Sequence, residues 1–407
     1  MKKTCYAAWG VILAAIPMLV GCSEDNDTNR TGKPTEIPLS GETRTLVDNG
    51  NQFCLDLLSA VSQENDDNFV ISPLSIFTMN AMLANGDGGQ ARKEILNAMG
   101  LEDTRQNLDN LNDYCNSMLR TLPKVDANVT CVFANGIWAN PELKPTDSFR
   151  TSVDEYFNAE FRQVSPSGEN GQKDINDWVS ANTSGMINDF ITTPFENISF
   201  AVLNAVYFNG QWQEKFDKAK TKAATFHNND GTESTHMQMQ NSGLMSYLTT
   251  DDYDAVSLKY GNGNFEMIMA LPNTNNDNLL SRKSLESLTS DFNSMMRFEV
   301  DLKMPRFEIN SELDLIKIMP ILGIKAPFDH QYGLNGVCSS AIALGKFHQT
   351  VKIGVNEEGT EAASSSVSAG QDMSPGRTFI TFDRPFIFMI RETTTGAILF
   401  AGRINRL

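Results

Sequence analysis

The chain has 407 residues, 41% of them hydrophobic, so it is long enough to bury a large core. No repeat, second linker or composition break divides it beyond about residue 45, which predicts one domain over residues 45–407. Its formal charge of −17 repels phosphate backbones, so nucleic acid is not an expected partner.

At the N-terminus, Lys2 and Lys3 precede an apolar run from Ala7 to Val20, too short and wrongly flanked for a spanning helix. Residues 1–21 read as a secretory signal peptide. The run ends in Leu19-Val20-Gly21-Cys22, which resembles the bacterial lipobox, so Cys22 is expected to be diacylated and to become the new N-terminus. Each buried lipid methylene then contributes roughly 0.8 kcal/mol to anchoring. Losing Lys2 and Lys3 takes the charge from −17 by a further 2, to −19. Residues 23–40 carry hardly an apolar side chain and cannot offset their ordering entropy, which predicts a flexible lipidated tether over residues 22–44. Its start, Ser23-Glu24-Asp25, resembles the acidic tags of surface lipoproteins in the Bacteroidetes. The expected location is the bacterial envelope, at the outer membrane, with outward display as the further expectation.

Beyond the tether the first half is helical. Phe53, Leu57, Leu58 and Val61 share one helix face, as do Ala91, Ile95, Leu96 and Met99, then Leu108, Leu111, Cys115, Met118 and Leu119. Ser72-Pro73 opens a helix and Gly100 closes another. Strand-like runs follow at Val129 to Ala139 and Ala201 to Phe208, and dominate the last third: Phe265 to Leu271, Arg297 to Ile309, Phe347 to Val355, Thr378 to Phe382, Ile387 to Arg391 and Ala397 to Ile404. The fold class is α+β with large antiparallel sheets. Between two of these strands lies Glu357 to Arg377, rich in Gly, Ala and Ser and free of aromatics, a long loop that needs a functional explanation.

Catalytic patterns are missing: no H-E-x-x-H, G-x-S-x-G, P-loop, G-x-G-x-x-G or C-x-x-C occurs. His227, His236, His330 and His348 have no metal-ligand spacing, so no metal or cofactor is expected, and the chain does not read as an enzyme. Of 6 cysteines, Cys5 leaves with the signal and Cys22 is lipidated; Cys54, Cys115, Cys131 and Cys338 are widely and irregularly spaced. They read as buried free thiols, though an envelope location permits a pair among them.

Five segments carry a resemblance. Phe69-Val70-Ile71-Ser72-Pro73-Leu74-Ser75-Ile76, Asn204-Ala205-Val206-Tyr207-Phe208-Asn209-Gly210-Gln211-Trp212 and Leu322-Gly323-Ile324-Lys325-Ala326-Pro327-Phe328 are similar to segments of the serpins. So is Ile380-Thr381-Phe382-Asp383-Arg384-Pro385-Phe386-Ile387-Phe388-Met389-Ile390. The most specific is His348 to Ala363, which contains Asn356-Glu357-Glu358-Gly359-Thr360-Glu361-Ala362-Ala363 and resembles the approach to the serpin reactive loop. The resemblance implies three β-sheets, eight to nine helices and an exposed loop that a protease cleaves. The freed segment then enters the largest sheet as a new strand and drags the covalently held protease with it. The implied partner is a target protease, and the chain is expected to be a monomer.

The loop fits that implication physically. A strand sliding between two others must carry small side chains, and alternate residues point to opposite faces. Thr360, Ala362, Ser364, Ser366 and Ser368 would fall on the buried face; Glu361, Ala363, Ser365, Val367 and Ala369 would fall on the wet one, which keeps the only charge solvated. Gly359 supplies the backbone freedom where the loop bends into the sheet. The family's spacing places the scissile bond at Met373-Ser374, suited to elastase-, chymotrypsin- or subtilisin-like proteases, with the register open by one or two residues. Arg377-Thr378 and Gly370-Gln371 are the alternative bonds. Ser72, Ser75, Asn204 and His348 match the serpin hydrogen-bond cluster beneath the opening sheet, and Trp212 matches the aromatic where the loop enters. Competing expectations are a non-inhibitory serpin acting as a binding or chaperone module, and a surface adhesin.

Overall fold

A computed structural model describes residues 33–86, 88–273, 282–338, 342–360 and 377–407. The signal peptide, Cys22, and loop residues Glu361, Ala362, Ala363, Ser364, Ser365, Ser366, Met373 and Ser374 lie outside the described residues.

Helix α1 (Gly41–Glu64) starts at Ser40, whose hydroxyl accepts from the Thr43 amide at 3.1 Å, and it buries the face containing Phe53, Leu57, Leu58 and Val61. Strand β1 (Phe69–Ile71) leads into α2 (Pro73–Ala84), where Pro73 takes the first helical position. Every side chain of α2 is buried, so this helix runs through the core rather than over it. Next come α3 (Gln90–Ala98), closed by Gly100 at φ +72°, and α4 (Arg105–Thr121). Strand β2 (Val129–Ala139) precedes α5 (Asp147–Phe157), β3 (Ala159–Arg162), α6 (Gly168–Asn182) and β4 (Phe200–Gln211). Strands β5 (Lys222–His227), β6 (Glu233–Thr249), β7 (Tyr253–Tyr260) and β8 (Phe265–Pro272) follow, then α7 (Arg282–Asn293).

The apolar run expected from Arg297 to Ile309 is two strands, β9 (Met296–Pro305) and β10 (Phe307–Asp314). Pro305 has no amide to donate, and past it the chain leaves one sheet for the other. The short α8 (Leu315–Ile318), β11 (Lys346–Asn356), β12 (Gly359–Thr360), β13 (Thr378–Thr381), β14 (Phe386–Glu392) and β15 (Ile398–Ile404) complete the chain.

The strands form a six-stranded sheet ordered β10-β11-β12-β4-β2-β3 and a nine-stranded sheet ordered β1-β15-β14-β8-β7-β6-β9-β13, with β5 on β6. The resemblance implies three sheets. Strand β6, 17 residues long, pairs with β9 from Gln238 to Tyr247 and with β7 from Ser246 to Thr249, which joins two of the three into one hydrogen-bonded surface.

The flexible tether expected to reach residue 44 ends earlier. Ile37 is buried, the Thr35 amide donates to Asn264 Oδ1 at 2.7 Å, and the Ile37 amide donates to Thr394 Oγ1 at 3.2 Å. Ile37 and the partly buried Leu39 packed against the core, with these two bonds, offset the cost of ordering residues the composition alone would leave free.

Candidate functional site

Strands β4 and β11 run parallel and pair directly from Ala201–Lys346 to Tyr207–Lys352. Beyond that they part, and β12 occupies the gap. Gly359 pairs with Asn356 on one side and Gln211 on the other, and Thr360 pairs with Val355 and Gly210. The central sheet is therefore closed at one end and wedged open at the other. Gly359 has φ +151°, and a Cβ there would lie 2.0 Å from the Gly210 carbonyl oxygen, so only glycine fits between the strands. Thr360 is fully buried, on the face the alternation assigns to it.

The turn before Gly359 is held ionically. Glu357 accepts from Arg306 Nε at 2.7 Å and from Thr221 Oγ1 at 2.6 Å, while Glu358 pairs with Lys215 at 2.7 Å and Lys218 at 2.9 Å. Burial pushes both carboxyls up, but bonds from Arg306 and Thr221 on Glu357, and from Lys215 and Lys218 on Glu358, outweigh it and hold both below the usual carboxylate range. Their carbonyls accept from the Phe216 and Trp212 amides at 2.9 and 2.8 Å. Trp212 also donates from Nε1 to the Asn356 carbonyl at 2.9 Å, which sets it at the mouth of the gap.

Beneath the closed end, Ser72 and Ser75 form one half of a cluster and Asn204 the other. Ser72 Oγ donates to Ser75 Oγ at 3.1 Å, and Asn204 Nδ2 donates to Asn135 Oδ1 at 2.9 Å and to the Ala134 carbonyl at 3.2 Å. The residue that joins the two halves is Gln349, not His348. Gln349 Oε1 accepts from the Ser72 amide at 2.9 Å, and its Nε2 donates to the Ser72 carbonyl at 3.1 Å and to Asn204 Oδ1 at 3.0 Å. Neighbouring strand residues face opposite ways, so His348 points to the other side, edge-on to Phe190 at 5.3 Å, with Nδ1 unpaired. Burial, then Lys346, pull the His348 pKa down to about 4, so it is neutral. Parity was the missed signal: Val351, Ile353 and Val355 belong to the main core, and counting back in twos from them reaches Gln349.

Arg377, offered as an alternative bait, has Nη1 3.3 Å from Asp301 and Nη2 3.9 Å from Glu299, with its side chain 11% exposed, and Thr378 already belongs to β13. It is engaged with the sheet rather than presented to solvent. Cys54, Cys115, Cys131 and Cys338 are all free and buried, and burial pushes their thiols up, Cys115 to about 12, which leaves no thiolate nucleophile among them. Among the described residues no group of three or more His, Cys, Asp and Glu side chains is placed to hold a metal.

The central sheet thus holds the first two residues of an adjoining loop between two of its strands. Residues 48–407 match the family model described as serpin (serine protease inhibitor), and the chain belongs to the serpin family. It is 30% identical to rat (Rattus norvegicus) alpha-1-antiproteinase, over 97% of each chain. It is also 30% identical to serine protease inhibitor 42Dd of Drosophila melanogaster, over 83% of this chain and 91% of that one. The native-state structure of tengpin, a thermophilic serpin, superposes with a TM-score of 0.82 at 21% identity, covering 94% of this chain and 98% of that one, a likeness of fold.

Proposed function

We propose that this serpin is an inhibitor that traps serine endopeptidases of elastase, chymotrypsin or subtilisin type, and cysteine endopeptidases by the same route. The loop is cleaved at about Met373-Ser374, an acyl-enzyme forms, and the segment from Gly359 onward inserts between β4 and β11. The observation that carries this is the wedge: Gly359 and Thr360 already occupy the gap, and the direct pairing of β4 with β11 below them marks the unfilled track. Roughly fourteen residues from Gly359 to the cut, at about 3.3 Å each, span more than ~40 Å, which matches the length of a 12-residue strand such as β4. The engagement of Arg377 with Asp301 favours Met373 over Arg377 as the bait.

Incubation with an elastase-like or subtilisin-like protease should give a covalent band that survives denaturation, with the released fragment beginning at Ser374. Clean hydrolysis by every protease tried, with no thermal stabilisation of the nicked protein, points instead to a non-inhibitory binding module. The same protein is proposed to act as a monomer held at the bacterial outer membrane by lipid on Cys22. Cys22→Ala should move it from the membrane to the soluble fraction.

A further inference from the structure

Tyr260 ends β7 directly beneath the hinge, at a position no motif picks out. Its ring stacks on Trp212, with centroids 4.4 Å and planes 14° apart, and meets Phe208 edge-on at 5.2 Å. Opposite it stands Gly210, whose Cβ would lie 2.9 Å from the Tyr260 ring, so the strand flanking the gap has given up a side chain to seat this phenol. The Tyr260 hydroxyl lies 2.8 Å from the Thr360 hydroxyl, and both side chains are fully buried. Burial raises the phenol far above its ordinary pKa, so it keeps its proton and either oxygen serves as donor.

We propose that Tyr260 is a positioning residue for loop insertion: its hydroxyl docks the hydroxyl of Thr360 and thereby sets the register in which the following residues are drawn between β4 and β11. Side chains alternate with a period of two, so a slip of one residue would turn Glu361 toward the phenol and drive its carboxylate into the buried face. Seating Thr360 correctly puts Ala362 and Ser364 on that face instead. The trapped acyl-enzyme hydrolyses unless insertion outruns it, so a residue that seats the first hinge side chain decides what fraction of encounters ends in a complex.

This inference rests on the reading of the protein as one that inserts its cleaved loop. The test uses full-length protein nicked in the loop by a protease that is not trapped, followed by its gain in thermal stability with time. Tyr260→Phe keeps the ring stack and Thr360→Val keeps the volume, and each should slow insertion by about three- to tenfold, as expected for one neutral hydrogen bond. The double variant should be no slower than the slower single one, and Thr360→Ser should restore the wild-type rate. Wild-type insertion rates in Tyr260→Phe, or additive slowing in the double variant, overturn the proposal while leaving the inhibitor reading intact. A wild-type protein that gains no stability after nicking overturns both.

Discussion

Truncating Gln349 and truncating His348 should have opposite rank in effect from what adjacency in sequence implies. Gln349→Ala leaves the Ser72 amide without its acceptor and Asn204 Oδ1 without its donor, while the Ser72 carbonyl still accepts from the Ile76 amide at 3.1 Å. Two stranded buried groups at about 1–3 kcal/mol each give a loss of about 2–6 kcal/mol. The loss falls where β4 and β11 are still paired, between Asn204 and Gln349 themselves, so the closed part of the sheet should part more easily. His348→Ala removes an edge contact with Phe190 and a 3.3 Å contact with Thr350, and its Nδ1 is already unpaired, so the expected loss is about 1 kcal/mol. Urea midpoints of the intact proteins, together with the rate at which inhibitory activity decays on warming, measure both quantities. Equal effects of the two substitutions, or a larger one for His348→Ala, would refute the assignment of Gln349 to the cluster.

Gly359→Ala should expel β12 from the gap, because the new Cβ would meet backbone rather than a yielding side chain; the number of inhibitor molecules consumed per protease should rise several-fold, and an unchanged stoichiometry would count against the steric account. His348 has its pKa lowered from 6.5 to about 4, so the folded chain binds fewer protons than the unfolded one between those values. Stability is then full above pH 6.5 and is lost as the pH falls toward 4, and His348→Phe should flatten that acid limb in urea titrations. Met373→Arg should move the trapped class from elastase-like to trypsin-like proteases by on the order of 100-fold in association rate, because the primary pocket reads shape and charge directly. An unchanged preference would place the scissile bond elsewhere.

What was legible followed from local pattern. Runs such as Val129–Ala139 became a strand with those same ends, and the amphipathic faces of α1 and α3 are the buried ones. Gly359 could be singled out because its constraint, a backbone squeezed between strands, leaves a glycine in the sequence. Strands β6 and β7 were not: Glu233–Thr249 is mostly polar and is paired rather than wrapped, so its burial flickers and no apolar period emerges. The polar partners of the hinge were invisible for a different reason. Arg306 lies 51 residues from Glu357, and Tyr260 lies 100 residues from Thr360; nothing local to either residue announces the other. The cluster residue on β11 was assigned to His348 instead of Gln349, an error of one position, to which a period of two is most sensitive.

The docked segment at residues 34–40 also has a consequence for orientation. Thr35 is bonded to Asn264, and Gly263 sits against Pro34, next to the turn whose Gly261 amide donates to Gln211 at the open end of the sheet. With the lipid proposed on Cys22, the roughly ten residues before this segment reach at most about 35 Å, so such an anchor would tether the protein close to the open end of the sheet. In the proposed insertion the strand would travel from Gln211 toward Ala201. Under the proposed anchoring and trapping, a captured protease would therefore be carried away from the anchored end of the molecule.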